Sequence, residues 1–159
     1  LVLTGFSLAP DLYDSYAQHL ASHGYIAIGV GLRTNAFVSR TQLSLAQDVS
    51  TVIDWIEQQG GALGNADTSR VVIAGHSLGG KLALMAALND PRVFGVIGID
   101  PVDAVPPGVE PSDDNPSIAP ERMDEIDFPL VLVGEDPASA GLLIKAVCAH
   151  PGYARSNYD

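Results

Sequence analysis

Arg70-Val71-Val72-Ile73-Ala74-Gly75-His76-Ser77-Leu78-Gly79-Gly80-Lys81-Leu82-Ala83-Leu84-Met85-Ala86 is the stretch that decides how this chain folds. Arg70 to Ala74 reads as a buried strand, rich in valine and isoleucine, as where both faces of a parallel sheet are covered. Leu78, Leu82, Met85 and Ala86 then recur at the spacing of one helix face. Between strand and helix stands Gly-x-Ser-x-Gly, a pattern that holds a serine on a turn too tight for neighbouring side chains. Gly75 and Gly79 meet that need, and Gly80 lets the helix approach the sheet.

Ser77 is therefore the candidate nucleophile. At the start of a helix the first backbone N–H groups have no intrahelical partner, so the Leu78 N–H is free to face an oxygen that becomes negative during acyl transfer. A second donor is expected from the loop after the first strand, where Thr4-Gly5-Phe6 offers the Phe6 N–H. Two alternatives compete: a glycine-rich turn with an incidental serine, and a phosphate cradle. The cradle lacks its Gly-x-x-x-x-Gly-Lys-Ser/Thr spacing, although Lys81 follows a double glycine. Lys81 reads as a solvated helix residue and Met85 as a packing residue.

Outward from this centre the chain alternates strand and helix. Leu1 to Gly5 reads as a strand, and Tyr13, Tyr16, Ala17 and Leu20 as one face of a helix that Gly24 ends. Tyr25 to Val30 is a continuous apolar run of strand length. Ser39 and Gln42 form a Ser-x-x-Gln capping pattern, after which Leu45, Val49, Val52 and Ile56 mark a long helix reaching Gly60-Gly61, with Trp55 read as core. Val93 to Ile99 follows the turn Asn89-Asp90-Pro91 as another strand. Leu130 to Val133 is a further strand, leading into an apolar helix over 138–149. Such alternation requires crossover connections and a mostly parallel sheet with helices on both faces.

A chain of 159 residues, 47% hydrophobic and 17% charged, supports one domain spanning 1–159. The proline-rich, acidic segment 101–128 breaks the pattern and reads either as a substrate-facing cap or as a solvated connector, with a short helix over Ser117 to Glu125. The net charge of −11 repels nucleic-acid backbones and anionic membranes. No apolar run approaches the roughly 20 residues of a membrane span. The single cysteine, Cys148, excludes an internal disulfide and reads as a small hydrophobe on a helix. No cluster of histidine, cysteine and carboxylate has ligand spacing, so neither a metal nor a cofactor is expected.

A serine nucleophile needs a base, and the base an orienting carboxylate; on a strand–turn–helix scaffold of this kind they follow in the order Ser, Asp or Glu, His. Asp100 closes the strand Val93 to Ile99, and Asp136 lies just past the next strand in Gly134-Glu135-Asp136. Both positions suit the acid. Asp103 reads as a turn residue. Among the histidines, His19 and His23 fall on the first helix and His76 points away from the serine, which leaves His150 alone in the right order.

Gly75-His76-Ser77-Leu78-Gly79-Gly80-Lys81 followed by Ile97-Gly98-Ile99-Asp100-Pro101-Val102-Asp103 resembles the chlorophyllase family. That family belongs to an α/β-hydrolase group with the plasma platelet-activating-factor acetylhydrolases and the cutinase-like, dienelactone hydrolase-related enzymes. Gly5-Phe6 and Gln18-His19-Leu20-Ala21-Ser22-His23-Gly24-Tyr25 carry the resemblance over nearly all of the chain. It implies an α/β-hydrolase fold and a serine esterase that works through an acyl-enzyme on a small-molecule ester, with no cofactor. It also implies Asp100 as the acid, because chlorophyllases and acetylhydrolases place it at the end of the strand after the nucleophile helix. Cutinase-type relatives carry it four residues past the glycine of the later strand, where this chain has Ala138.

Two departures stand out: Thr4 replaces the histidine that often precedes the oxyanion glycine, and Leu78 replaces an arginine of plant chlorophyllases, which argues against chlorophyll itself. The segment from Cys148-Ala149-His150-Pro151-Gly152 to Asn157-Tyr158-Asp159 resembles what precedes the last catalytic strand of chlorophyllases. The expectation is thus a piece of the domain, without the first strands and without the closing strand and helix, whose catalytic histidine lies beyond residue 159 rather than at His150. Residues 1–159 alone would then hydrolyse aryl esters poorly, since loss of the base can cost about 10⁶ in turnover. A non-catalytic α/β-hydrolase-fold binding protein is the alternative. Localisation and oligomeric state are not encoded in these patterns.

Overall fold

The computed structural model describes residues 1–34, 40–59, 61–105, 109–119 and 122–134. Five strands form one sheet: β1 (Val2–Leu3), β2 (Gly29–Val30), β3 (Val71–His76), β4 (Val93–Ile99) and β5 (Leu130–Val133). Their spatial order is β2-β1-β3-β4-β5, and every pairing is parallel. Three α-helices connect them among the described residues: α1 (Asp14–Ser22), α2 (Gln42–Glu57) and α3 (Leu78–Ala87). None of these helices is long and apolar enough to cross a membrane. The α/β class read from the alternation of elements is the observed one.

Side-chain parity along the sheet explains where the core sits. Leu3, Ile73 and Val96 project to one face and join Leu45, Val49 and Ile53 of α2 and Leu82, Met85 and Ala86 of α3. Burying a side chain of this size contributes about 1.5–3 kcal/mol, so this layer dominates the stability of the domain. Residues of the opposite parity face the other way. Val72 is exposed there, and Phe94, set off from the Ile73–Val96 register by an irregularity of the β3–β4 ladder opposite Val71 and Val72, is exposed with the Arg70 guanidinium 4.8 Å above its ring. His76 shares that parity and meets Tyr13 from the short turn Pro10–Tyr13, which brings the segment opening α1 to this second face.

Four local expectations are corrected. The predicted buried strand Tyr25 to Val30 pairs only at Gly29–Val30, and Tyr25 and Ile26 are exposed. β2 ends the strand order and its one described neighbour, β1, offers two paired residues, so no ladder extends back to Tyr25. The cap of α2 is Thr41, two residues after the Ser39 of the expected Ser39/Gln42 pattern, and its side chain accepts the Ser44 N–H at 3.1 Å. Trp55 is 51% exposed, because the buried face of α2 runs through Leu45, Ala46, Val49, Ile53 and Ile56 and leaves position 55 outside it. In α1 no residue is buried, and Tyr13, one position before it, is the member of the predicted apolar face that enters the interior.

Where it is described, segment 101–128 divides by burial, and 109–114 is exposed. Pro101, Val102, Asp103, Ile118 and Ala119 are buried, and Ile118 and Ala119 close the core over α2 and α3. Met123–Glu125 forms a single 3₁₀ turn within the region expected to hold a short helix. The helix expected over 138–149 lies outside the described residues, as do Ser39, Asp136, Ala138, Cys148 and His150.

Candidate functional site

Ser77 stands between the last residue of β3 and the first of α3 with φ 53° and ψ −120°. An L-residue at positive φ is strained by about 1–3 kcal/mol and persists only where its surroundings impose it. Here the surroundings are backbone. A Cβ on Gly75 would lie 2.2 Å from the Gly79 carbonyl oxygen, and one on Gly79 would lie 2.5 Å from that of Thr4. A Cβ on Gly80 would meet Pro101 Cβ at 2.8 Å. The three glycines thus permit a turn that no side chain could enter. Ser77 N–H donates to Ile99 O at 3.0 Å, which docks the turn on the end of β4 and leaves the serine half-buried.

The register of the sheet gathers the other candidates at the same strand ends. Leu3 pairs with Gly75, so the chain leaving β1 runs beside His76 and Ser77. Gly5 comes within 3.0 Å of His76 Nδ1, measured from where its Cβ would stand. Residues Gly5 to Leu8 form a turn closed by Leu8 N–H to Gly5 O at 3.2 Å, with Ser7 at φ 55°. In such a turn the N–H of the second residue, Phe6, has no partner within the turn. Thr34 holds the far end, its Oγ1 accepting Ser7 N–H at 2.9 Å and its carbonyl accepting Ser7 Oγ at 3.0 Å. Thr4 is fully buried, and its Oγ1 accepts the Leu32 N–H.

Asp100 arrives from the opposite side. His76 pairs with Ile99, so the residue after β4 stands beside the residue after β3, which is Ser77. Asp100 also has positive φ, 45°, and is fixed by its N–H to Val133 O of β5. Its carboxylate is half-buried at the strand end. The structure therefore brings Phe6, Ser77, Leu78 and Asp100 to the carboxyl ends of β1, β3 and β4, the inner strands of the sheet. Asp136 and His150 lie outside the described residues.

Two readings around these strand ends are overturned. Lys81 is not solvated: its side chain is fully buried, with Nζ 3.0 Å from Asp103 Oδ1 and 3.4 Å from Ala104 O. Asp103 is not a mere turn residue, since its Oδ2 accepts from Ser117 Oγ at 2.8 Å, Ile118 N–H at 2.8 Å and Ala119 N–H at 2.9 Å. The signal was available, because Lys81 sits among small and apolar residues that leave α3 no polar face, and every position from Gly79 to Ala87 is buried. Burial pulls the Lys81 ammonium below its ordinary 10.5, with the facing carboxylate opposing the shift.

The described histidines are engaged away from Ser77. His19 and His23 lie against each other on the outer surface at the end of α1, their ring centres 4.6 Å apart and their planes tilted by 56°. His76 Nδ1 lies 2.7 Å from the Tyr13 hydroxyl, which in turn accepts the Gly5 N–H at 3.1 Å. Tyr13 was read only as part of an apolar face, and its polar role left no trace in the residue pattern. Among the described residues no three histidine, cysteine or acidic side chains cluster as metal ligands would.

Known proteins resemble this chain in sequence and in fold. The chlorophyllase family model matches residues 1–155. Chlorophyllase-1 of Arabidopsis thaliana is 31% identical over 145 residues, covering 84% of this chain and 44% of the relative. "Chlorophyllase-1, chloroplastic" of Citrus unshiu is 32% identical over 161 residues, covering 96% of this chain and 46% of the relative. The chain thus spans about half the length of these relatives. Among solved structures, DcsB in complex with its substrate analogue superposes with a TM-score of 0.52 at 22% identity, over 65% of this chain and 37% of that one. AbyA5 wild type superposes with 0.50 at 25% identity, over 63% of this chain and 27% of that one. The fold is of the α/β-hydrolase type, and the chain belongs to the chlorophyllase family.

Proposed function

We infer that this chain carries the nucleophile and the acid of a serine hydrolase for carboxylic ester bonds. The observation that carries the reading is the backbone of Ser77. A serine held at φ 53° by three glycines, at the mouth of a helix, is a costly conformation for a residue with only a structural role. Ser77 Oγ attacks the ester carbonyl while its proton passes to a histidine base that follows Asp100 in chain order. The carbonyl oxygen takes up negative charge facing the N–H groups of Phe6 and Leu78. Collapse of this tetrahedral species expels the alcohol, which takes the proton back, and leaves an acyl-serine. Water then releases the acid by the same steps. Asp100 orients the imidazole and stabilises its charged form.

Family membership supports the ester class, while Leu78, in the place of an arginine of plant chlorophyllases, argues against chlorophyll itself as the ester. The test is hydrolysis of short-chain aryl esters by the full-length protein. Turnover that is lost in Ser77→Ala supports the reading. Turnover that survives Ser77→Ala removes Ser77 as the nucleophile, and none in the natural protein favours a binding protein built on this fold.

A further inference from the structure

We propose that Tyr13 is the positioning residue of the oxyanion site, its hydroxyl tying the loop that carries Phe6 to the turn that carries Ser77 and Leu78. The inference rests on the reading of Ser77 as nucleophile. Two donors that serve one oxygen must hold their separation closely, since misplacement of about 1 Å can cost about 10²-fold in rate. Here the two come from segments far apart in sequence, so something must fix one against the other.

The Tyr13 hydroxyl touches both segments, one residue before Phe6 and two residues before Leu78. It accepts the N–H of Gly5, which immediately precedes Phe6, and lies 2.7 Å from Nδ1 of His76, which immediately precedes Ser77. A phenol has one proton to give and an oxygen that accepts. The Gly5 N–H occupies one lone pair of that oxygen, and the bond to His76 Nδ1 uses the phenol proton or the second lone pair according to the imidazole tautomer. The bridge is built into the interior: Tyr13 is 8% exposed, and its ring packs on the imidazole with centres 5.8 Å apart. Ser7 and Thr34 hold the other end of the same loop, so Phe6 is pinned on both sides. Neither Tyr13 nor His76 meets the reacting atoms. Removing the hydroxyl leaves both donors in place and loosens their spacing, which weakens the transition state more than the bound ester.

The experiment compares Tyr13→Phe with the natural full-length protein on an aryl ester. Expected is a fall in kcat of about 10- to 100-fold, smaller than the full loss of one donor, with KM within about twofold. Inhibition by an aryl trifluoromethyl ketone, which adds to a serine as a tetrahedral adduct, weakens by the same factor as kcat/KM. Unchanged kcat and inhibition overturn the inference alone, provided natural turnover is lost in Ser77→Ala. A rise in KM at constant kcat overturns it as well, and absence of Ser77-dependent turnover overturns both readings. Should Tyr13→Phe fail to fold, His76→Asn and His76→Leu decide, because asparagine keeps an acceptor near the place of Nδ1. His76→Asn is expected to turn over at least about tenfold faster than His76→Leu, and equal rates overturn the inference.

Discussion

The Val102 N–H donates to the carbonyl oxygen of Ser77 at 3.3 Å. The segment leaving β4 is therefore bonded to the candidate nucleophile itself, and Pro101 between them lies against Gly80 and Gly98. Asp100 is held at one remove from Ser77 by backbone, before any side chain is considered. In this geometry Asp100→Asn keeps the loop and loses the charge. It is expected to lower kcat by about 10⁴, as for an orienting carboxylate, with a near-native thermal midpoint. Parallel kinetics of Asp136→Asn check the choice, and a larger loss at 136 would move the acid there.

Strain at Ser77 makes stability and activity oppose each other. Glycine adopts φ 53° freely, so Ser77→Gly is expected to stabilise the fold by about 1 kcal/mol while abolishing turnover. Urea unfolding followed by circular dichroism measures the first, and aryl ester hydrolysis the second. A destabilised Ser77→Gly would mean that the turn is not strained.

The Lys81–Asp103 pair fastens the loop after β4 to the nucleophile helix. Lys81→Met strands a buried carboxylate and is expected to cost about 3–5 kcal/mol in urea unfolding. Adding Asp103→Leu does not restore the loss, because the buried N–H groups of Ile118 and Ala119 then lose their acceptor. Full recovery in the double variant would show the pair to be dispensable. As for pH, the Lys81 value lies below 10.5 in the folded state, so the unfolded chain binds more protons between the two values. Stability contributed by this group rises with pH there.

How much of this was legible in the sequence depended on whether a residue's role is local. The bounds of β4 and β5 match the expected Val93 to Ile99 and Leu130 to Val133, since a continuous apolar run bounded by turns marks a strand even where, as in β5, alternate residues stay exposed. Ser77 was legible because Gly-x-Ser-x-Gly meets its steric needs within five residues. Lys81 and Asp103 were misread because charge alone suggests solvent, and the partner that permits burial is set by a crossover no window of sequence contains. Tyr13 was missed for the same reason: its two hydrogen-bond partners come from β1's loop and β3's end. Trp55 failed differently, because a period of 3.6 identifies a face of α2 without ensuring that every large residue belongs to it.

Acid unfolding should reveal Asp90. The Arg92 guanidinium bonded to it holds its carboxyl at about 2, below the ordinary 3.8. A depressed carboxylate contributes stability that is complete above 3.8 and lost as pH falls through about 2. Over that window the natural protein is expected to lose about 2 kcal/mol more than Asp90→Asn. Equal acid sensitivity in the two proteins, by urea titration at stepped pH, would remove Asp90 from the account.

Reaction of the full-length protein with a fluorophosphonate, followed by peptide mass spectrometry, tests the central claim most directly. A nucleophile poised on this turn is expected to take one phosphonyl group, on the peptide containing Ser77, and to lose that label in Ser77→Ala and after heat unfolding. No label on the folded protein, or a label that persists in Ser77→Ala, would contradict it.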